Sequence, residues 1–391
     1  MIKAPIKLYG KATFSHGGPE RIVRVGDPAN ERWGARDVWL HRDQEDEPTA
    51  ATGTEVVLSL AAEAPIAGGR LRVTLPGEFN YLGPGDILRL APSHGRVNVL
   101  YRRSGRTNSL LLTERCNSNC TMCSQPPKQH NDEFIADELL QVIPLIDPAT
   151  PEVGFTGGEP TLLHGRFLEL VSACREHLPS TSLHVLTNGR LFAYREFARR
   201  LAAIDHPDLM LGVPLYSDLP WCHDHVVQAR GAFDQTIHGL LNLARFEVPL
   251  ELRVVIHRDT FARLPELARF IARNLPFVSH VALMGLEIMG HVRMNLDALW
   301  IDPLDYQREL ARCVRVLEQR GITARIYNHQ LCVLPEELWP YAVQSISDWK
   351  NLYVQECGRC VVRDQCGGFF ASSSIKASRG IRAVMKECSV T

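Results

Sequence analysis

From about residue 106 onward, short apolar segments alternate with longer amphipathic ones, and this alternation restricts the fold more than any other feature of the chain. The apolar segments have the length of strands, and the amphipathic segments have the period of helices. Such a pattern is typical of βαβ units around a parallel sheet, so we predict an α/β fold. The six expected strands are 109–113, 152–156, 183–187, 209–215, 250–256 and 279–284. The expected helices lie near 133–146, 165–177, 194–204, 232–246, 261–274 and 303–320.

The two ends of the chain differ from this central region. Residues 1–105 contain β-rich runs separated by turn signals such as Pro76-Gly77, and no helical period lies between them. Beyond residue 320 the chain is rich in cysteine, glycine and short irregular segments. We therefore predict three domains: a β-rich amino-terminal domain over 1–105, the α/β domain over 106–320, and a small cysteine-rich module over 321–391.

Composition narrows the class of protein. Hydrophobic residues make up 45% and charged residues 22% of the 391 residues, as in a soluble globular protein. No apolar run reaches the ~18 residues of a membrane span, and the amino end lacks the apolar stretch of a secretory signal. We expect a cytoplasmic protein with no membrane partner. A formal net charge of −1 gives no electrostatic reason to expect a nucleic-acid partner.

Eleven cysteines are many for a cytoplasmic chain, where thiols are more often metal ligands than disulfides. Three of them, Cys116, Cys120 and Cys123, follow the first expected strand with the spacing C-x3-C-x2-C. Three thiolates so spaced can hold one face of an iron-sulfur cubane, and they leave one metal position open, whereas structural sites normally use four protein ligands. The alternatives are a chance grouping or a zinc site with a remote fourth ligand.

This loop, followed after the second strand by Gly157-Gly158-Glu159-Pro160, resembles the radical S-adenosylmethionine superfamily. The resemblance implies a partial (β/α)6 TIM-like barrel over 106–320. It implies that Cys116, Cys120 and Cys123 bind a [4Fe-4S] cluster whose free iron chelates S-adenosylmethionine. It also implies an enzyme that cleaves this cosubstrate reductively to a 5′-deoxyadenosyl radical, with an electron donor such as flavodoxin or ferredoxin as partner.

The same resemblance suggests contacts with the cosubstrate. Met122 stands where the family commonly has an aromatic residue near adenine, and an apolar, polarizable side chain can still cover a ring. Glu159 offers an acceptor to the ammonium group, and the glycines allow the backbone to approach a ligand closely. The alternatives are an ordinary Gly-Gly turn with a solvated Glu159, a common Asn-Gly turn at Asn188, and a surface arginine at Arg253. The expected cosubstrate contacts are Met122, Gly157, Gly158, Glu159, Asn188, Ser217 and Arg253.

A second group of cysteines lies near the carboxyl end. Cys357, Cys360 and Cys366 have the form C-x2-C-x5-C, with Cys332 upstream as a fourth ligand, and four thiolates suit zinc and an iron-sulfur cluster equally. The pattern resembles SPASM and twitch extensions, which implies an auxiliary [4Fe-4S] cluster. Phe370 occupies the position of a further SPASM cysteine, which favours one cluster. Cys388 is an alternative fourth ligand.

The chain as a whole resembles the maturases of the His-Xaa-Ser peptide system. The segments that carry this resemblance are 113–127, 331–335, 345–350 and 366–370. It implies a ribosomally made precursor peptide as the substrate and partner. The same radical acting on RNA or on a small metabolite is one alternative, and a noncatalytic iron-sulfur protein for electron transfer or partner binding is another.

Overall fold

The computed structural model of the chain describes residues 7–42, 47–52, 54–60, 69–344 and 352–385. Segment 345–350 and Cys388, both noted above, lie outside these described residues. Two sheets organise the rest, one in the amino-terminal region and one in the centre of the chain.

The amino-terminal sheet has eight strands in the described part of the chain, in the order β1-β8-β7-β3-β4-β5-β6-β2. Only Ala12 separates β1 from β2, so one continuous segment pairs with β8 at one end of the sheet and with β6 at the other. This pairing closes the sheet into a barrel, which removes its exposed edges. The strands are β1 (Tyr9–Lys11), β2 (Thr13–Phe14), β3 (Arg21–Val25), β4 (Asp37–His41), β5 (Val56–Ser59), β6 (Leu71–Thr74), β7 (Ile87–Ala91) and β8 (Arg96–Tyr101).

The central sheet is parallel throughout, and its strands lie in the order of the sequence, from β9 to β15. This order, with helices between consecutive strands, is that of a partial (β/α) barrel and confirms the predicted α/β fold. The strands are β9 (Asn108–Leu111), β10 (Glu152–Thr156), β11 (Ser182–Leu186), β12 (Leu209–Pro214), β13 (Leu250–Ile256), β14 (His280–Gly285) and β15 (Thr323–Tyr327).

All six predicted strands are present, and β15 is an addition that the sequence pattern did not reveal. This strand pairs in parallel with β14, so the sheet continues past residue 320. Its alternate residues Thr323 and Arg325 are exposed, and five residues with only two buried apolar side chains give a weak signal.

Helices cover the outer face of the central sheet, and side chains such as Val153, Phe155 and Leu252 fill the core between sheet and helices. The α-helices are α1 (Phe134–Val142), α2 (Gly165–His177), α3 (Arg195–Ala202), α4 (Pro220–Val227), α5 (Ala232–Arg245), α6 (Leu264–Asn274), α7 (His291–Met294), α8 (Leu296–Leu299) and α9 (Gln307–Glu318). The 3-10 helices are Thr49–Ala51, Gly77–Phe79, Pro92–His94, Ile143–Leu145, Pro160–Leu163, Arg190–Ala193, Phe261–Arg263, Pro303–Asp305, Leu331–Val333, Glu336–Tyr341, Gln355–Arg359, Arg363–Gln365 and Ala371–Ser374.

Polar contacts join the amino-terminal barrel to the central domain. Arg89 binds Glu138 of α1 at 3.0 Å, and the buried hydroxyls of Tyr101 and Thr150 lie 2.7 Å apart. Arg103 donates to Asp147 at 2.6 Å. None of the helices in the described ranges is both long enough and apolar enough to cross a membrane.

Candidate active site

The cysteine loop follows β9 at the carboxyl edge of the parallel sheet, where the loops of such barrels build their sites. The backbone N–H of Cys123 donates to the carbonyl of Cys120 at 3.1 Å, which makes the second half of the loop a tight turn. The loop also contacts the carboxyl end of α4, because Asn119 N donates to Val227 O at 3.0 Å and Thr121 N donates to Val226 O at 2.9 Å. The sequence pattern missed α4, although this helix supports the loop.

The three thiols of the loop lie close enough to influence one another. Burial raises the pKa of Cys116 to about 11 and that of Cys120 to about 12, and the neighbouring Cys123 adds to both shifts. Thiols in such surroundings stay protonated at neutral pH unless a bound cation deprotonates them. The donor set therefore suits a soft metal centre, which would supply that positive charge.

No group of three His, Cys, Asp or Glu side chains in the described ranges is arranged to hold a single metal ion. A cubane binds each thiolate through a different iron atom, so its ligands do not need to meet at one ion. Three cysteines of one loop are compatible with that requirement.

Gly157 and Gly158 lie directly against the cysteine loop. A Cβ at Gly157, where φ is +153°, would lie 2.4 Å from the carbonyl oxygen of Thr113, and a Cβ at Gly158 would lie 2.1 Å from that of Arg115. The Gly158 N–H donates to Thr113 O and the Glu159 N–H to Arg115 O, both at 2.8 Å. The absence of side chains at these positions thus lets the loop after β10 approach the loop after β9.

Glu159 is completely buried, which excludes the alternative of a solvated turn residue. Its Oε1 accepts from the N–H of Thr161 at 3.0 Å, from the Thr161 hydroxyl at 2.5 Å and from the Thr187 hydroxyl at 2.6 Å. Its Oε2 accepts from Asn188 N at 2.6 Å. Burial raises the pKa of this carboxyl, and these donors oppose the shift. Glu159 therefore joins the loops after β10 and β11, while its contact with a cosubstrate ammonium stays a prediction.

Asn188 and its neighbour Arg190 connect the loop after β11 to the cysteine loop. Asn188 Nδ2 donates to Asn117 Oδ1 at 2.6 Å, and Arg190 Nη1 donates to Ser118 Oγ at 3.0 Å and to the carbonyl of Asn117. Arg190 was missed by sequence reasoning, although it follows the Asn-Gly turn directly. Asn188 thus contacts the residue that follows Cys116, and its contact with the cosubstrate stays a prediction.

Met122 is buried in an apolar cluster that includes Tyr216, Val226, Ile288 and Val292. Cys120 of the loop packs against this cluster. Met122 therefore gives the loop an apolar side, and its contact with adenine stays a prediction.

Ser217 lies in the loop after β12, and Arg253 lies on the neighbouring strand β13. The buried Ser217 hydroxyl accepts from Leu219 N at 3.2 Å and so supports the beginning of α4. Arg253 donates to Glu251 Oε1 at 2.6 Å on the inner face of the sheet. Their predicted contacts with the cosubstrate remain predictions.

A polar network that the sequence did not reveal surrounds Arg253. Glu251 Oε2 lies 3.0 Å from His280 Nε2 and 3.4 Å from His184 Nε2. Burial acts to raise the pKa of Glu251, but the hydrogen bond with His280 and the charge of Arg253 lower it to about 2. Gly212 makes room for the network, because a Cβ there would lie 3.0 Å from His184 Nε2. The only sequence signal was the Glu-x-Arg alternation along β13.

The four carboxy-terminal cysteines line one small cavity together with Tyr353, Arg363 and Arg382. Leu331 N lies 3.4 Å from Cys366 Sγ. Burial raises the pKa of the Cys332 and Cys357 thiols, and Cys366 adds to both shifts. The structure therefore brings together the residues predicted to hold an auxiliary centre, namely Cys332, Cys357, Cys360 and Cys366.

Residues 110–271 match the family model of the Radical SAM superfamily, so the chain carries a radical SAM domain. Proteins of this superfamily are enzymes that bind a [4Fe-4S] cluster and S-adenosylmethionine. The match includes the cysteine loop and the Gly157-Gly158-Glu159 turn, and it confirms the resemblance to radical SAM proteins over this part of the chain.

Two curated relatives illustrate the range of reactions among similar proteins. The GTP 3′,8-cyclase of Mycobacterium ulcerans (strain Agy99) is 28% identical over 218 residues, which are 53% of this chain and 56% of the cyclase. The PqqA peptide cyclase of Gluconobacter oxydans (strain 621H) is 26% identical over 215 residues, 54% of this chain and 57% of that enzyme. The chain thus spans about half the length of the curated relatives it matches.

Among solved structures, Streptococcus suis SuiB bound to S-adenosylmethionine aligns with a TM-score of 0.45 at 15% identity. The alignment covers 58% of this chain and 50% of SuiB.

Proposed function

We propose that the chain cleaves S-adenosylmethionine reductively at the loop that contains Cys116, Cys120 and Cys123. The observation that carries this proposal is that three thiols of one loop lie together at the carboxyl edge of a parallel sheet. The backbone just before these cysteines, at Thr113 and Arg115, lies directly against Gly157 and Gly158. These thiols would hold the [4Fe-4S] cluster. When bound, the cluster supplies the electron that breaks the sulfonium C–S bond and releases a 5′-deoxyadenosyl radical.

The residues around the loop would bind and orient the cosubstrate. Asn188, which is half-buried beside Asn117, presents polar groups to the ribose or the carboxylate. Arg253 has N–H donors beyond the one that binds Glu251, and a guanidinium suits a carboxylate. The apolar cluster around Met122 would exclude water from one side of the loop.

The test is an anaerobic assay of reconstituted protein with dithionite and S-adenosylmethionine, in which 5′-deoxyadenosine is measured by chromatography. Wild-type protein should release it, and the Cys116→Ala, Cys120→Ala and Cys123→Ala variants should not, because each loses a ligand. Cys174→Ala is the matched control, since this buried thiol lies in α2. Equal product from all these proteins would contradict the proposal.

We propose further that Cys332, Cys357, Cys360 and Cys366 hold an auxiliary [4Fe-4S] cluster. Their arrangement around one cavity supports a shared metal centre. Four thiolates complete the coordination of such a cluster or of zinc, and the resemblance to twitch extensions favours iron. A fully ligated cluster would relay electrons or shape the entrance of the barrel.

For the substrate we propose a ribosomally made precursor peptide, with flavodoxin or ferredoxin as the electron donor and the cytoplasm as the location. Similarity to the PqqA peptide cyclase and the resemblance to the His-Xaa-Ser maturases support a peptide. Similarity to GTP 3′,8-cyclases supports a small metabolite as the second candidate. Anaerobic co-expression with candidate precursor peptides, followed by mass spectrometry, tests the first. A parallel assay with GTP as the added substrate tests the second.

A further inference from the structure

A segment after β14 contacts the cysteine loop, although β14 and β9 lie near opposite ends of the strand order. This segment, residues 288–295, is called the clasp below; it contains the end of the β14 loop and helix α7. In sequence it lies about 170 residues beyond the cysteines, as the separation of 171 between His291 and Cys120 shows. The distance along the chain explains why no local sequence motif revealed the contact.

The clasp forms hydrogen bonds with three backbone carbonyls of the cysteine loop. His291 N donates to the carbonyl of Cys123 at 2.8 Å, and His291 Nδ1 lies 3.0 Å from the carbonyl of Cys120. Because a carbonyl only accepts, Nδ1 carries the proton in this contact. Asn295 Nδ2 donates to the carbonyl of Thr121 at 2.8 Å. These hydrogen bonds fix the directions of the three carbonyl groups.

Gly290 allows this approach. Its φ is +52°, and a Cβ at this position would lie 2.2 Å from the carbonyl oxygen of Cys123 and 2.6 Å from that of Ser124. A side chain at residue 290 would therefore meet the backbone beside the third cysteine, which has no flexible atoms to move aside. Ile288 and Val292 of the clasp pack with Met122 in the buried apolar cluster, which adds a hydrophobic contact to the polar ones.

We propose that the clasp positions the cysteine loop for its cluster, with Gly290, His291 and Asn295 as positioning residues. This proposal rests on the proposed function only in that the function names the cluster. The backbone contacts are made by the protein alone. Fixed carbonyls hold the three thiols at the separations that the cluster requires. They also keep the negative ends of the carbonyl dipoles in fixed directions near the metal centre, and such groups around a cluster tune its reduction potential.

The first measurement is hydrogen exchange of the metal-free, full-length chain. His291→Ala should speed exchange of the amides in residues 117–124 at least tenfold, while exchange in the amino-terminal barrel stays unchanged. His291→Asn should restore much of the protection, since the Asn amide can donate to the Cys120 carbonyl. His238→Ala is the matched control, because His238 is an exposed residue of α5.

The second measurement concerns the reconstituted cluster. His291→Ala and Asn295→Ala should change the electron paramagnetic resonance signal and the reduction potential of the cluster at the loop, and they should lower its iron retention at least twofold during anaerobic dialysis. Gly290→Ala should act more strongly, with Gly165→Ala as control because a Cβ at Gly165 meets nothing within 4 Å. If Gly290→Ala does not fold, the His291 and Asn295 variants still decide the question.

The positioning role of the clasp would be overturned if both His291→Ala and Asn295→Ala left three quantities unchanged. These are the hydrogen exchange of residues 117–124, the spectrum of the cluster and its reduction potential. A different result would separate the two proposals. If the wild-type chain releases no 5′-deoxyadenosine while the clasp variants still exchange faster than wild type, the proposed function is wrong and the positioning role of the clasp is supported.

Discussion

The two cysteine sites of this chain are built in different ways. The loop of Cys116, Cys120 and Cys123 is held by the ends of several strands and helices, through Gly158, Arg190 and the clasp. Each carboxy-terminal cysteine lies in or directly after a short 3-10 helix, and irregular segments connect these helices. Hydrogen bonds from Gln344 and Tyr353 to the carbonyl of Cys366 are among the contacts that support this second site.

The difference matches the number of protein ligands that we propose for each site, three in the loop and four at the carboxyl end. A site with three protein ligands must keep a fourth position open, so the surrounding fold has to supply the order that the missing ligand would give. A site with four ligands is closed by its own metal, and binding free energy contributes directly to its folding. We therefore expect the loop to keep its structure without metal, and the carboxy-terminal site to depend on metal for its order.

The largest expected effect comes from removing Cys116, Cys120 and Cys123 together. The triple alanine variant should release no 5′-deoxyadenosine above background, but it should keep about four irons per chain, the content of one cubane with four cysteine ligands. Iron analysis and visible absorption after anaerobic reconstitution measure this.

The reciprocal variant, Cys357→Ala, should lose auxiliary iron and still release 5′-deoxyadenosine in the absence of peptide. One zinc and no iron-sulfur absorption in the triple variant would contradict the auxiliary cluster, although the proposal for the first site would survive. Equal loss of 5′-deoxyadenosine in both variants would show that the two sites are not independent.

A smaller effect is expected when one glycine in each site is replaced by alanine, because the two variants should lose different amounts of the free energy of unfolding. Gly158→Ala places a methyl group 2.1 Å from the carbonyl oxygen of Arg115, and the two loops must move apart. Overpacking of this kind costs about 3 kcal/mol of the free energy of unfolding. Gly358→Ala, between Cys357 and Cys360, meets nothing within 4 Å and should change stability by less than about 0.5 kcal/mol. Chemical denaturation of the metal-free chains measures the free energy of unfolding of both variants. Equal losses would contradict the idea that the fold orders the loop site more strongly than the carboxy-terminal site.

The same contrast explains what the sequence could predict. Strands β9 to β14 and the cysteine spacing depend on local patterns, and these were predicted correctly or matched the family. Contacts between distant segments carry no local signal. One such contact is that of the clasp with the cysteine loop, and another is the Glu251 network across β11, β13 and β14. A third is the pairing of β1 and β2 with opposite ends of the amino-terminal sheet. Gly157 and Gly158 were noted for approach to a ligand, yet the structure shows that they also serve approach between two loops.

The smallest effect concerns acid stability near the edge of the sheet that carries the cysteine loop. His257 follows β13 directly, is completely buried, and its Nε2 has no hydrogen-bond partner among the described residues. Burial lowers its pKa to about 4, and the nearby Asp259 opposes this shift. The unfolded chain, with a pKa near 6.5, therefore binds a proton at pH values where the folded chain does not. Stability from this residue is complete above pH ~6.5 and is lost as the pH falls toward ~4.

At pH 5.5 the difference amounts to about 1.4 kcal/mol relative to pH 8, since one pKa unit corresponds to ~1.36 kcal/mol. Replacing His257 with Gln, which does not titrate, should remove this part of the pH dependence, whereas His238→Gln on the exposed side of α5 should not. Denaturation of the metal-free chain at pH 8 and pH 5.5 measures the difference. The same slope in wild type and His257→Gln would show that the folded chain accommodates a charged imidazole there.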